Sequence, residues 1–159
     1  MKITFTTEHI IPELKGKNAF QVIGELMEHL VSVGTILPET AEPISLAVKQ
    51  RETSMSTGIG FGIAIPHAST PLTDEIVLAF GRSSNGIDFD SLDKQPVRLV
   101  VLMIVPAREK EKHLPTLASI SRLLHNREIR VALQHAQDAS QILDILNRQR
   151  GLTPTLTLV

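Results

Sequence analysis

Apolar residues recur every three or four positions in five segments of the chain, and this spacing predicts helices. The spacing puts the apolar residues of each segment on one face, as in an amphipathic helix. The first two predicted helices cover residues 19–31 and about 40–52. The third follows the charged loop 107–112 and includes residues 114–124. The last two cover residues 128–135 and 138–148.

Capping residues and prolines set the predicted ends of these helices. Asn18 is the expected N-cap of the first helix, and Gly34 is its expected stop. The second helix is expected to open near Pro43, and Pro115 is expected in the first turn of the third, where a proline needs no N–H. Asp138 starts the last helix, and the glutamine three residues later has the spacing of a capping box.

Short apolar runs predict strands at residues 63–65, 76–80 and 97–105. The first is expected to stop at Pro66, which lacks the N–H that a β-ladder needs. The third is apolar enough to lie in the middle of a sheet covered on both faces. The sequence Ser-Ser-Asn-Gly at 83–86 predicts a turn, and the tail 151–159 predicts an edge strand or a frayed end.

The alternation of helices with short strands predicts an α/β (α+β) layered domain built on a mixed β-sheet. The length of 159 residues fits a single domain, 1–159. A content of 42% hydrophobic and 21% charged residues is typical of a globular chain that buries a core.

The charge balance limits the classes of partner. The chain has 16 basic and 17 acidic side chains and a net charge of -1, so no net positive field attracts nucleic acid or an anionic membrane. The N-terminal segment lacks the apolar core of a secretory signal, and the run 97–105 is far shorter than the ~20 residues that span a bilayer. Because the chain has no cysteine, a reducing compartment is allowed, and we expect a cytoplasmic protein without membrane insertion.

Three polar residues stand out for their positions at the ends of predicted elements. Arg51 continues the apolar face at the end of the second helix, and His67 follows Pro66 at the end of a strand. His113 lies in the first turn of the third helix. Such ends are where a fold gathers polar groups into a cleft. The glycines of 58–62 are a fourth component, because residues without Cβ let backbone N–H groups approach an anion.

This set suits phosphoryl transfer to nitrogen. A neutral imidazole can attack phosphorus, and the nitrogen–phosphorus bond that forms stays reactive enough to pass the group on. Arg51 offers a planar fork of donors for the phosphoryl oxygens, and His113 offers an N–H beside a helix N-terminus.

Each residue also has a plain structural interpretation. Taken alone, His67 is a packed or exposed histidine, His113 bonds backbone at a helix start, and Arg51 pairs with a carboxylate such as that of Glu52. The glycines alone indicate a tight turn. The other histidines, at positions 9, 29, 125 and 135, are interpreted as surface or packing residues.

Competing motifs fit less well. The glycines lack the Gly-Lys-Ser/Thr of a P-loop and the spacing of a dinucleotide fingerprint, so we expect no nucleotide cofactor. A zinc site at His67 and His113 has only Glu109 and Glu111 nearby as a third ligand, so we expect no metal. No Gly-x-Ser-x-Gly elbow of a serine hydrolase is present.

Two blocks of sequence carry a family resemblance. The first is Arg51-Glu52 followed by Ser-Thr-Gly-Ile-Gly-Phe-Gly-Ile-Ala-Ile-Pro-His at 56–67, and the second runs from Gln-Pro-Val at 95–97 to His-Leu at 113–114. Together they resemble the type-2 enzyme IIA family of the bacterial phosphotransferase system, whose members serve fructose, mannitol or nitrogen regulation. The resemblance covers nearly the whole chain.

The resemblance implies a mixed central sheet flanked by helices on both faces, and it implies roles for named residues. His67 would accept phosphate from the histidine-containing phosphocarrier protein, with Arg51 and His113 stabilising the phosphate. The loop that supports the phosphate would comprise Thr57, Gly58, Gly60 and Gly62.

The chain departs from the family at Phe61, where asparagine is common. We expect this apolar ring to change the geometry of the loop, the transfer rate or the choice of partner. The sequence Ser-Thr-Gly-Ile-Gly favours the nitrogen-regulatory form, whose recipient is a regulatory target protein. The alternatives are a sugar-transport enzyme IIA that donates to a IIB domain of a permease, and a binding module that is no longer phosphorylated.

Overall fold

The computed structural model describes residues 3–148, which form one mixed β-sheet with helices packed against it. The strands are Ile3–Thr4 (β1), Ile10–Ile11 (β2), Gly58–Gly60 (β3), Ile63–Ala64 (β4), His67–Thr70 (β5), Ile76–Ile87 (β6) and Val97–Pro106 (β7). The α-helices are Ala19–Ser32 (α1), Pro38–Ser54 (α2), Lys110–His125 (α3), Arg127–His135 (α4) and Ala139–Arg148 (α5). Short 3₁₀ turns at Thr7–His9 and Ala107–Glu109 precede β2 and α3.

Strand β7 is the centre of the sheet. It pairs antiparallel with β6 along one side, and parallel with β4 and then β5 along the other. The order is β1-β6-β7-β4-β3, with β2 also on β6 and β5 also on β7. The predicted central position of the run 97–105 is confirmed.

Both faces of the sheet are covered by helices, which confirms the predicted fold class. Successive residues of a strand point to opposite faces, so β7 feeds two separate cores. Val100, Leu102 and Ile104 pack with α1 and α2, whereas Leu99, Val101 and Met103 pack with α3, α4 and α5. Since nearly all of β7 is buried on both sides, it holds the two layers of helices in fixed positions.

The helix ends follow the sequence signals at most positions. The Asn18 side chain accepts a hydrogen bond from the Gln21 N–H at 3.0 Å, as an N-cap does. Helix α4 begins one residue earlier than predicted, and α5 one residue later. Asp138 Oδ1 caps α5 by accepting from the Gln141 N–H at 2.9 Å, but the Gln141 side chain accepts from the Gln137 N–H, so the capping box is displaced by one residue.

Two helix starts were predicted too late. Helix α2 begins at Pro38, where a first-turn proline needs no N–H, so Pro43 lies inside the helix. Helix α3 begins at Lys110, so Pro115 lies in its second turn and the charged loop 107–112 is a 3₁₀ turn followed by helix. Lys112 bonds Glu109 at 2.9 Å one turn earlier, which favours helix in this charged segment.

The strand predictions need two corrections. The predicted turn at 83–86 is wrong, because β6 continues to Ile87 with a shift of register after Arg82, and the Ser83 hydroxyl accepts from the Gly86 N–H. His67 opens β5 and does not end a strand, because the Pro66 carbonyl accepts the Met103 N–H and carries the chain back onto β7. The tail 151–159 lies outside the described residues.

None of the helices within residues 3–148 has the length and apolar character needed to cross a membrane.

Candidate functional site

His67 lies at the start of β5 with its side chain on the face that α3 covers. Its partner across the ladder is Met103, which belongs to the core on that face. The side chain is 8% exposed, and Nδ1 lies 2.7 Å from the Ile65 carbonyl oxygen. Because a carbonyl only accepts, Nδ1 carries the proton, and Nε2 of the neutral ring has a free lone pair.

The surroundings of His67 favour this neutral form. Burial lowers the pKa of His67, and this effect outweighs the bond to the Ile65 carbonyl, which raises it. The nearby charges of His113 and Arg51 lower the pKa further. Near neutral pH the ring is therefore uncharged, as a nucleophile must be.

His113 is the fourth residue of α3 and lies against His67. The centroids of the two rings are 5.0 Å apart, and the ring planes meet at 87°. Burial lowers the pKa of His113, and the charge of Arg51 lowers it further. The structure therefore brings two neutral imidazoles together at the N-terminal end of α3.

Arg51, in the last turn of α2, completes the group of charged and titratable side chains. It is half-buried, and one guanidinium nitrogen donates to the Met55 carbonyl oxygen at 3.1 Å. That bond uses one of five N–H donors and orients the fork, so four remain for an anion. Its positive charge lowers the pKa of both His67 and His113, which shows that all three side chains share one electrostatic environment.

Glu52 does not pair with Arg51, so that structural interpretation is wrong. Its carboxylate is 6% exposed and accepts from the Thr57 N–H at 2.9 Å and from the Thr57 hydroxyl at 2.5 Å. Sequence reasoning missed this clamp. The signal was the spacing of four residues from Ile44 to Val48 and from Val48 to Glu52, which puts Glu52 on the same helix face as two apolar residues; the structure shows all three buried.

Thr57 therefore acts on the loop through its bonds to Glu52. Its hydroxyl donates a hydrogen bond to the carboxylate, and its carbonyl oxygen accepts one from the Ile65 N–H at 3.1 Å. Ile65 in turn binds the His67 ring through its own carbonyl. A chain of hydrogen bonds thus connects Glu52 to the imidazole of His67.

The glycines of 58–62 form a hairpin and do not surround His67. Gly60, Phe61 and Gly62 have φ angles of 92°, 56° and 75°, so the turn occupies left-handed backbone throughout. The Gly62 carbonyl oxygen accepts from the Leu99 N–H, four residues before Met103, which pairs with His67. Four residues of strand span about 13 Å. The expectation that Gly60 and Gly62 bring N–H groups to a phosphate on His67 is therefore wrong.

Gly58 has a packing role in the same hairpin. A Cβ at this position would lie 2.3 Å from the Ser91 hydroxyl oxygen, so only glycine allows the loop at 89–92 to pack against β3. Its backbone N–H donates to the Ser56 hydroxyl at 3.1 Å.

Phe61 lies at the tip of the hairpin, at the far end of α3 from His113. Its ring is 61% exposed and contacts the His125 ring at a centroid distance of 5.4 Å. The Arg130 guanidinium lies 5.1 Å from the centroid of the same ring. The contacts of Phe61 therefore belong to the α3–α4 junction and not to the surroundings of His67.

Two carboxylates near the site are already engaged. Glu109 bonds Lys112 at 2.9 Å, and Glu52 bonds Thr57. Across residues 3–148, no group of three or more His, Asp or Glu side chains has the arrangement of a metal site. The donors around His67 are N–H groups, which suit an anion.

Comparison with known proteins assigns this chain to a family. Residues 3–149 match the family described as "Phosphoenolpyruvate-dependent sugar phosphotransferase system, EIIA 2". The fructose-specific EIIABC component of Bacillus subtilis is 39% identical over 150 residues, which are 93% of this chain and 23% of that protein. The nitrogen regulatory protein of Bradyrhizobium diazoefficiens is 34% identical over 139 residues, which are 87% of this chain and 89% of that protein.

A solved structure agrees with the sequence relatives. Nitrogen regulatory protein IIA-Ntr from Neisseria meningitidis superposes with a TM-score of 0.81 at 25% identity, over 89% of this chain and 95% of that one. The family match extends over nearly the whole chain and includes the segments that carry Arg51, His67 and His113. The chain belongs to the type-2 enzyme IIA family of the phosphoenolpyruvate-dependent sugar phosphotransferase system.

Proposed function

We propose that this chain is a phosphoryl carrier that accepts phosphate from the histidine-containing phosphocarrier protein onto Nε2 of His67. The observation that carries the proposal is the state of the His67 ring. It is buried and neutral, with Nδ1–H directed at the Ile65 carbonyl, and it contacts His113 in a region of positive potential from Arg51. These are the requirements for an imidazole that attacks phosphorus.

The step transfers one phosphoryl group between two ring nitrogens. The Nε2 lone pair of His67 forms a bond to phosphorus while the bond between phosphorus and the donor's ring nitrogen breaks. The electron pair of the broken bond returns to the donor nitrogen. The Nδ1 proton stays on His67, and the Ile65 carbonyl stabilises the positive charge that develops on the ring.

Arg51 and His113 have supporting roles in this proposal. Charge spreads over the phosphoryl oxygens during transfer, and prepositioned N–H donors stabilise it. The free N–H groups of Arg51 would bind these oxygens, and the His113 ring would donate a further hydrogen bond. Glu52 and Thr57 would keep the preceding loop in place, so that the Ile65 carbonyl stays aligned with His67.

The recipient of the phosphate defines two candidate functions. We favour a nitrogen-regulatory enzyme IIA in the cytoplasm, which binds a regulatory target according to its phosphorylation state. The Bradyrhizobium diazoefficiens relative, whose match covers 87% of this chain and 89% of that protein, is named a nitrogen regulatory protein. The second candidate is a sugar-transport enzyme IIA that donates to a IIB domain, because the fructose-specific relative has the higher identity.

The decisive experiment incubates the full chain with phosphoenolpyruvate, enzyme I and the histidine-containing phosphocarrier protein. Intact mass should show one added phosphoryl group that is lost in acid. His67→Ala should take up none, whereas the matched control His125→Ala should take up as much as wild type. A wild-type chain that takes up nothing would leave the non-phosphorylated binding module as the better account, and equal uptake by His67→Ala would refute the acceptor.

A second measurement separates the two recipients. Phosphorylated chain is mixed with a IIB domain of the fructose permease, and transfer of the label is followed with time. Rapid transfer favours sugar transport. No transfer, together with a regulatory protein that binds only one phosphorylation state of this chain, favours nitrogen regulation.

A further inference from the structure

One buried hydroxyl close to His67 makes no hydrogen bond to the part of the chain that the structure describes. Within residues 3–148, three buried side-chain hydroxyl oxygens lack a hydrogen-bond partner, and they belong to Ser69, Thr73 and Ser91. A buried polar group without a partner destabilises the fold, so each such group needs a reason. Ser69 is the one that follows His67 by two residues on the same strand.

The register of β5 puts the side chains of His67 and Ser69 on one face of the sheet. Alternate residues of a strand share a face, and about 7 Å separates them. His67 pairs with Met103 and Ser69 with Val105, and both partners belong to the core beneath α3. Ala68, between them, packs in the opposite core. Ser69 is therefore the next side chain after His67 along the surface that α3 covers.

The orientation of the His67 ring directs its reactive nitrogen away from the preceding residues. Nδ1 faces the Ile65 carbonyl, two residues earlier in the chain. The two nitrogens of an imidazole point in widely divergent directions, so the Nε2 lone pair points away from Ile65. A phosphoryl group on Nε2 would therefore lie on the side of the ring away from Ile65, and Ser69 is the next residue of β5 whose side chain shares the face of His67.

We propose that the Ser69 hydroxyl donates a hydrogen bond to the phosphoryl group on Nε2 of His67. This proposal rests on the proposed function and adds one residue to it. The hydroxyl has no partner in the unphosphorylated protein and gains a charged acceptor in the phosphorylated one. The bond therefore stabilises the phosphorylated state selectively, and it shifts the equilibrium of phosphate between the donor and this chain.

The experiment measures that equilibrium by intact mass, with the full chain and the histidine-containing phosphocarrier protein at known concentrations. Ser69→Ala should lower the equilibrium constant for phosphorylation about tenfold, the effect of one hydrogen bond to a charged group. Ser69→Thr keeps the hydroxyl and should stay close to wild type. The matched control is Ser91→Ala, which removes another unpartnered buried hydroxyl beside Gly58 and should leave the constant unchanged.

The outcomes separate this proposal from the function on which it rests. If wild type takes up no phosphate, the proposed function fails. If wild type is phosphorylated on His67 and Ser69→Ala has the same equilibrium constant, only the role of Ser69 is refuted. It is also refuted if Ser69→Thr loses as much as Ser69→Ala, because the effect would then follow packing and not the hydroxyl. Circular dichroism of each variant corrects the constants for the folded fraction.

Discussion

Helix α3 carries a histidine at each end, and the two histidines have similar neighbouring side chains. At the N-terminal end His113 contacts the ring of His67, and the charge of Arg51 acts on both. At the C-terminal end His125 contacts the ring of Phe61, and Arg130 lies over that ring. Each end therefore joins a helix histidine, a ring from residues 61–67 and an arginine.

The two ends differ in burial and in what their arginines bind. His67 is buried, whereas His125 and Phe61 are exposed. One guanidinium nitrogen of Arg130 donates to the Leu124 and His125 carbonyls at 2.9 and 2.6 Å, so Arg130 caps the C-terminus of α3. Arg51 makes one bond to a carbonyl and keeps most of its donors. The comparison indicates that contact between rings and an arginine is not enough for the proposed phosphate chemistry, which also needs a buried imidazole.

The largest difference between the ends should appear when each arginine is removed. Arg51→Ala should lower the rate of phosphoryl transfer to His67 about 10²- to 10³-fold, the cost of one donor to a transition-state oxygen. Arg130→Ala should change that rate by no more than about twofold, because distant sites act independently. Rapid-quench measurement of phosphorylation under single-turnover conditions gives both rates.

The free energy of unfolding, unlike the transfer rate, should depend on Arg130. Arg130→Ala leaves two carbonyls at the end of α3 without this donor, and we expect a loss of about 1–2 kcal/mol in the free energy of unfolding. Urea unfolding measures this loss. If Arg130→Ala slowed transfer as much as Arg51→Ala, the two ends would not be functionally distinct.

Removal of the two helix histidines should give the next largest contrast. His113→Ala should slow transfer about 10- to 100-fold, because a hydrogen bond to a charged phosphoryl group is lost. His125→Ala, at the exposed end, should transfer at the wild-type rate. Both variants are compared in the same single-turnover assay, and equal rates for His113→Ala and wild type would remove His113 from the site.

The sequence predicted the central layers of the fold because burial imposes strict patterns there. The run 97–105 is apolar at nearly every position, and only a strand covered on both faces needs that. The turn predicted at 83–86 failed because a Ser-Ser-Asn-Gly sequence also suits a bulge inside a long strand, and only pairing with β7 decides between them.

The same limit applies to the site. Arg51, His67 and His113 could be selected because polar residues at the ends of predicted elements meet in clefts. The distance of the glycine hairpin from His67 could not be predicted, because it depends on the register of β4 on β7, and residue spacing does not determine register. The role of Glu52 was missed despite its informative spacing, because a carboxylate next to an arginine suggests an ion pair, whereas its partner is Thr57.

The pH dependence of transfer should sharpen the contrast between a buried and an exposed imidazole. Burial lowers the pKa of His67 below its ordinary value of 6.5, so the neutral, reactive form persists to more acidic pH. The rate should fall to half its maximum only at a pH below 6.5, and it should then decline by about tenfold per unit once most of the ring is protonated. Transfer rates between pH 5 and 8, with a donor whose own titration is measured separately, test this.

Arg51→Ala adds an internal check to that profile. The positive charge of Arg51 helps to lower the pKa of His67, so its removal should move the acid limb of the profile to higher pH. An acid limb centred at or above 6.5 in wild type would contradict the buried, neutral state of His67.

The smallest effect on transfer is expected from substitution of Phe61, because its ring lies at the other end of α3 from His113. Phe61→Asn removes the ring contact with Arg130, worth about 0.5–1 kcal/mol at an exposed position. Asparagine adopts the left-handed backbone at φ 56° more easily than phenylalanine, which offsets this loss. The free energy of unfolding should therefore change by less than about 1 kcal/mol, and the transfer rate by less than about twofold. A tenfold loss of transfer would instead show that the hairpin couples the two ends of α3, through the hydrogen bond between Thr57 and Ile65 that holds the carbonyl facing His67.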